Sequence, residues 1–461
     1  MKKTRYVWTC LSVLTVLLLM LSACAPSPSP ASAPASSGAS SPTAAASQAQ
    51  ATAAPVAQGA GGGKTLRITI DSWLIQKWPI NDAAKAFMGA HSGINVTVAP
   101  NADDYGNNWL LPWSQGQTDS DLMCGGMDTT ISPFVAKDLL VPLDDMLTDD
   151  GKINLKPDQF VSSLLNASKY GSHYYALPFM GEVYYVTVNT AMMKKAGLTD
   201  ASGKPVAPKT LDEWYDQAKK LTDKSAGVTG LYLNWAWNSA TITYMALLQA
   251  QKGTYWDDAH KNIDFTSDAA HQVLTFARKI VADGYSNADT VTDENADRNS
   301  MKAGKAAQIL TFHSRFKEAQ TALGGADKAT VMAFPGADQN GSNAQAILCV
   351  IPKISPNVDL AKQFLREQMM DKANQQWSAN KFGKLPALTR NFEGLPDPEY
   401  AMVLAALDKS GFGPKFVQFN ELDKLVQQET QKYILGKQDL DTTLKNLQDG
   451  SSKLDLSLVS K

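Results

Sequence analysis

The chain has 461 residues, with 43 basic against 45 acidic side chains, a formal net charge of −2 and 44% hydrophobic residues. This balance, without a basic run or stripe, argues against a nucleic-acid partner, and the length exceeds what one core serves, so two lobes are expected. His91, His173, His260, His271 and His313 show no zinc spacing, and neither His-Glu-x-x-His nor Gly-x-Ser-x-Gly occurs, so the sequence offers no catalytic machine, metal site or cofactor motif.

Lys2, Lys3 and Arg5, an apolar run from Leu11 to Leu21 and small residues before Cys24 read as a secretory signal over residues 1–23. Leu21-Ser22-Ala23-Cys24 resembles a bacterial lipobox, so cleavage before Cys24 and a thioether-linked lipid on its thiol are expected. Several acyl chains, at about 0.8 kcal/mol per buried methylene, would hold the chain on the outer face of the cytoplasmic membrane. Between Ala25 and Gly63 no side chain is charged or aromatic. Such a composition cannot offset its ordering entropy, so residues 24–63 read as a disordered tether reaching about 35 Å root-mean-square. Gly59 to Thr65 looks like a phosphate loop, but Gln58 stands where its first Gly belongs and a strand follows instead of a helix. Nucleotide binding is set aside.

From residue 64 the pattern is α/β. Thr65–Ile70 reads as a strand followed by Asp71-Ser72-Trp73, then a helix near 81–90 and a strand at 94–98. Asp121 to Cys124 is a third strand, and Asp128 lies in the Gly-rich loop after it. Ligands of open α/β sheets sit beyond the carboxyl ends of the strands, which puts Trp73 and Asp128 on one rim; Asp128 has a second reading as a helix N-cap. From Tyr174 to Asn189 two strand-like runs flank Pro178 and Gly181, residues that interrupt a ladder and permit a bend, as where a chain leaves one lobe for another. Glu182, with apolar neighbours on both sides, needs a partner or a cleft there.

Further along, Thr210-Leu-Asp-Glu213 resembles a capping box. The strand 230–234 runs into Trp235-Ala-Trp237 before a helix from 239, where two indoles suit a cleft. His313-Ser-Arg315-Phe316 is the exit loop of a strand at 306–312. The segment from 398 to 461 is helix-rich. Cys124 and Cys349 lie in apolar, strand-like runs and read as free buried thiols, with a bridge left open.

Together these features resemble the extracellular solute-binding proteins of carbohydrate ABC importers, the maltose or multiple-sugar type. The resemblance rests on Asp121-Leu-Met-Cys before a Gly-rich loop, Phe134-Val-Ala-Lys-Asp-Leu-Leu-Val-Pro-Leu-Asp-Asp, Tyr175-Ala-Leu-Pro with Asn189, and Ala196-Gly-Leu then Pro208-Lys-Thr-Leu-Asp-Glu-Trp. Met301-Lys-Ala-Gly-Lys-Ala-Ala and Gly383-Lys-Leu-Pro complete it. It implies a two-lobed, periplasmic-binding-protein-like (type II) α/β fold with hinge strands and a ligand cleft. Lobe I would be residues 64–180 plus 346–388, and lobe II 181–345 plus 389–461. The chain would cross near Phe179 to Glu182, again near Gln345 to Leu348, and again near Lys384 to Leu388. Acids at positions matching Asp128 and Glu182, with Trp73, Trp235 or Trp237 for stacking, would hold the sugar.

His313 and Arg315 depart from the type, which usually offers a Gly and a Trp there, and fit a more polar or acidic ligand. Val188 and Gly125 depart from it too, standing where a Tyr and a Trp are usual. The partners expected are a small-molecule solute, a sugar above all, and separate permease subunits; a monomer without cofactor or catalytic residue is expected. A peptide or other small polar solute on the same scaffold is the alternative reading, and a glycoside hydrolase using Asp128 and Glu182 as paired carboxylates is the rival of another class.

Overall fold

Alternation decides the first strand: Leu66, Ile68 and Ile70 form the buried side of β1 (Lys64–Asp71), with Arg67 between them partly exposed. The computed structural model describes residues 63–102, 105–127, 129–236, 239–253, 256–257, 262–334, 342–411 and 415–456. The expected signal, the lipidation at Cys24 and the tether up to residue 62 lie outside them. Strand β1 pairs in parallel with β2 (Ile94–Asn101) and β3 (Leu122–Met127). The crossover helix α1 (Ile80–Ala90) buries Ile80, Ala83, Ala84 and Phe87, one stripe at helical spacing.

The centre of the molecule is β4 (Leu177–Asn189), 13 residues with every one buried. Its first half pairs antiparallel with β8 (Ala344–Val350), from Leu177 opposite Cys349 to Val183 opposite Ala344, and with β9 (Leu385–Pro386) on its other side. Its second half pairs antiparallel with β6 (Gln308–Phe312) and β7 (Ala329–Met332), beginning with Tyr184 opposite Phe312. Strand β5 (Tyr232–Leu233) lies parallel to β6, and β8 also pairs with β3. One sheet therefore runs β2-β1-β3-β8-β4-β6-β5, and β4 changes partners between Val183 and Tyr184.

The expected interruption at Pro178 and Gly181 does not occur, because the sheet absorbs both residues. Pro178 stands opposite Leu348 and Met180 opposite Ile347, so Phe179 is an extra residue in a bulge next to the missing N–H. At Gly181 a Cβ would fall 2.6 Å from Leu164 Cδ2, so the strand uses the absent side chain for close packing.

The expectation of free thiols is also overturned. Cys124 on β3 faces Cys349 on β8 in register, their Cα atoms are 4.0 Å apart, and they form a disulfide across 225 residues of sequence. Apolar burial, which suggested inert thiols, suits a bridge as well.

In the second half of the sheet, α2 (Leu211–Leu221) starts at Thr210, whose hydroxyl accepts from the Glu213 N–H; the Glu213 carboxylate returns to the Lys209 N–H, one residue earlier than a full capping box. Helix α3 (Ser239–Ala250) is buried on nearly all sides. It packs against β4, α4 (Asp268–Ala282) and α6 (Phe419–Ile434), with α5 (Arg315–Leu323) following β6 and α7 (Leu440–Ser451) closing the chain against α6. Among the described residues no helix is long and apolar enough to cross a membrane.

Candidate functional site

A cleft of about 970 Å³ opens where β4 changes partners. Its lining comes from elements far apart in sequence: Asp71 at the end of β1 and Trp73 just after it, Glu182 on β4, Gln345 on β8, Phe312 at the end of β6 and Arg315 at the start of α5. The lining also includes Asn295 and Arg298 around the helix Ala296–Lys302, and one face of α6 given by Asn420, Asp423, Lys424 and Gln427. Spacings of three and four residues bring those α6 side chains onto one side.

Three residues expected at the site are brought together. Glu182, with a side chain only 4% exposed, pairs with Lys384 at 2.5 Å and accepts a hydrogen bond from the Ser314 hydroxyl. Burial alone would raise its carboxyl, but the charges of Lys384 and Arg315 hold it well below the usual carboxylate range. Trp73, half-buried, holds the Lys384 ammonium 5.0 Å and the Lys77 ammonium 5.6 Å from its ring centroid. Arg315 donates from Nη1 to Glu318 Oε1 at 3.0 Å. Glu318 also receives the fork of Arg298. Burial would raise the Glu318 carboxyl, but Arg315 and Arg298 outweigh it and bring it down to about 2.

Two expectations need correction. Trp235 is fully buried instead of facing the cleft: its backbone N–H donates to the Thr290 carbonyl and its backbone carbonyl accepts from Gln431, which fix the chain with the indole in the core. His313 is likewise fully buried and does not line the cleft. Its Nδ1 accepts from the Val183 N–H at 3.2 Å and its Nε2 donates to the Gly383 carbonyl at 2.7 Å. It is a clamp between the crossing strand and the segment entering β9. Burial pushes its imidazole down to about 4. Asp128 and Trp237 lie outside the described residues.

Residues not foreseen from the sequence are Lys77, Lys384, Arg298, Asp71 and the α6 face. Asp71 accepts from Asn101 Nδ2 at 2.9 Å and from the Tyr105 hydroxyl. Gly125, at φ +141°, leaves room for it, since a Cβ there would lie 2.2 Å from the Asp71 carboxyl carbon. Asp71 ends an apolar strand, a carboxyl-end signal that the rim argument used for Trp73 and could have extended by two residues. No such signal marks the α6 face, which reaches the cleft from the far end of the chain.

Among the described residues no cluster of His, Cys, Asp and Glu could hold a metal ion. Chemically, the cleft offers flat aromatics, amides, and carboxylates beside cations. That set suits recognition of a small, hydrogen-bonding polar solute.

A family model described as bacterial extracellular solute-binding protein matches residues 76–371. A maltotriose-binding protein of Pyrococcus abyssi (strain GE5 / Orsay) is 30% identical over 128 residues, 28% of this chain, so the match spans about a quarter (24%) of that relative. Two solved structures superpose on 85% of this chain with TM-scores of 0.73. One is an ABC transporter solute-binding protein of Thermotoga lettingae bound with α-D-tagatose, 23% identical and 99% covered. The other is the ABC substrate-binding protein Lmo0181 of Listeria monocytogenes in complex with cycloalternan, 18% identical and 98% covered.

Proposed function

The chain belongs to the bacterial extracellular solute-binding protein family and has its two-lobed α/β fold, and from that premise we propose that it captures a carbohydrate in its cleft and delivers it to separate ABC permease subunits. One observation carries the reading: at the partner change of β4, Trp73, Glu182, Asn295, Gln345 and Gln427 converge on a single cleft from both halves of the sheet. A sugar presents an apolar ring face and hydroxyl edges, which an aromatic and amides or carboxylates recognise. The sugar ligands named for the relative and the two structures support the same class.

Lobe I (64–180 plus 346–388) and lobe II (181–345 plus 389–461) would then close about β4, β8 and β9, with the ligand favouring the closed arrangement through contacts to both. Cys24 would carry the lipid and residues 24–63 the tether, placing a monomer on the outer face of the cytoplasmic membrane. Asp128 and Trp237 stay candidates for ligand contact. In the hydrolase reading Glu182 could not be the general acid, since Lys384 and Arg315 hold it ionised, and its oxygens are already engaged by Lys384 and Ser314.

The test is unfolding of the full chain against neutral and acidic mono- and oligosaccharides, amino acids and short peptides. A sugar at a hundred times its Kd adds about 2.7 kcal/mol of stability, and this gain should vanish in Trp73→Ala. A gain with peptides or amino acids, and with no sugar of any charge, would overturn the reading.

A further inference from the structure

We propose that the solute is anionic, a sugar acid whose carboxylate is held by Arg315 and Lys77 beside Trp73. The proposal rests on the carbohydrate reading and narrows it.

The argument begins with a charge count. Beside the hinge, Lys77, Arg298, Arg315 and Lys384 surround two carboxylates, Glu182 and Glu318. Lys384 takes Glu182 at 2.5 Å. Arg298 takes Glu318 through Nε at 3.2 Å and through Nη2 at 3.0 and 2.8 Å to its two oxygens. What remains is two cations, both lining the cleft.

Arg315 gives Nη1 to Glu318, while its Nε is buried without an acceptor and Nη2 donates to no described residue. Lys77 Nζ stands 3.8 Å from Glu318 Oε1, beyond hydrogen-bond reach, and its other neighbour is the Trp73 ring. Their side chains are only 14% and 17% exposed. A guanidinium so buried and so incompletely paired as that of Arg315 is costly, and a ligand carboxylate supplies the missing charge, with the Lys77 amine beside it as a second donor.

Asp71, Glu294, Glu421 and Asp423 line the cleft as well, but none forms an ion pair with Lys77 or Arg315 among the described residues. Lys424 also lines the cleft, beside Asp423 on α6, whereas Lys77 and Arg315 lie with Trp73 next to the Glu182–Lys384 pair. The Lys77 ammonium is pushed down to about 6 by burial, with Lys384 and Arg315 adding to it. An anion beside it restores the charged form, so binding at neutral pH takes up a proton. With Lys77 mostly discharged at neutral pH, Lys384, Arg298 and Arg315 face Glu182 and Glu318, which leaves one positive charge for a monoanion to match, and the planar guanidinium favours a planar carboxylate. The amides of Asn295, Gln345 and Gln427 remain for hydroxyl groups.

Titration calorimetry on the full chain tests this, with D-glucuronate and D-galacturonate, their neutral parents glucose and galactose, maltose, glucose 6-phosphate and sodium acetate as probes. The expected result is a uronate bound at least tenfold more tightly than its neutral parent, weaker in high salt, with proton uptake seen across buffers of different ionisation enthalpy. Lys77→Met and Arg315→Gln should each lower uronate affinity at least tenfold, and Arg315→Lys should recover part of it. Lys77→Met removes an amine 3.8 Å from its nearest carboxylate, so its unliganded melting temperature should hold, which separates lost binding from lost folding; Arg315→Gln also gives up the Glu318 pair and is read against Arg315→Lys, which keeps that charge.

Neutral sugars binding as well as or better than the acids would overturn the proposal and leave the carbohydrate reading standing. Binding of the phosphate without the uronates, binding of neither acid, or a Lys77→Met variant with unchanged uronate affinity would each overturn it too. If no sugar of either charge binds and an amino acid or peptide does, both readings fall together.

Discussion

At the scale of single residues, His313 shows how the site is held. Its backbone N–H donates to the Val183 carbonyl at 2.9 Å while its ring accepts from the Val183 N–H and donates to Gly383. A neutral imidazole protonated on Nε2 satisfies both ring contacts; a second proton on Nδ1 would face the Val183 N–H, donor against donor. The unfolded chain takes up that proton near 6.5 and the folded chain near 4. The folded state therefore holds this stability above about pH 6.5 and loses it as the pH falls toward 4. The stability advantage of the natural protein over His313→Gln should narrow by up to about 1.4 kcal/mol per pH unit across that window, measured by urea unfolding at a series of pH values. Buried Asp297 and Asp423, each raised to about 6 chiefly by burial, act in the opposite sense, but both proteins share them and they cancel in the difference. A difference that stays flat from pH 6.5 to 4 would show that the ring carries no such clamp.

At the scale of elements, the disulfide ties β3 to β8 and closes a loop of 225 residues. A closure of that length restricts the unfolded chain strongly, and losing it should cost about 2–5 kcal/mol. Urea unfolding with and without dithiothreitol, and of the Cys124→Ala/Cys349→Ala double variant, measures this; a midpoint unmoved by either would contradict the bridge. The same elements show what the sequence could say. Periodicity and caps are local, so β1, α1 and the Thr210 start of α2 were readable, and the carboxyl-end rule put Trp73 on the rim. Glu182 stood out as a lone carboxylate among apolar residues. Register between strands is not local, which is why the sequence favours free thiols at Cys124 and Cys349 and leaves their bridge open, and why Pro178 and Gly181 read as breaks. Trp235 turns inward against expectation because β5 is two residues long, and where a strand that short ends says little about which way the next side chain turns. Lys384 and the α6 face meet the cleft only through tertiary packing, with no mark in their own segments.

At the scale of the whole molecule, the sharing of β4 decides how the protein comes apart. Chains of this length commonly unfold domain by domain, through intermediates. Here the strand that organises the first half of the sheet is the same strand that organises the second, and all 13 of its residues are buried. Unfolding the first half alone would strip β8 and β9 from residues 177–183 of β4 and leave a bare edge beside a still-folded partner. It would also release the Glu182–Lys384 pair and the His313 clamp, which bridge the two halves. A single transition is therefore expected, with tryptophan fluorescence and far-ultraviolet dichroism coincident and calorimetric and van't Hoff enthalpies equal. The disulfide gives the decisive check, because it lies wholly in the first half, between β3 and β8. Reducing it should move the entire transition to lower denaturant for both probes together. A trace that splits into two steps, one shifted by reductant and the other fixed, would mean that β4 joins two independently stable bodies and that the hinge carries less of the folding free energy than its burial implies.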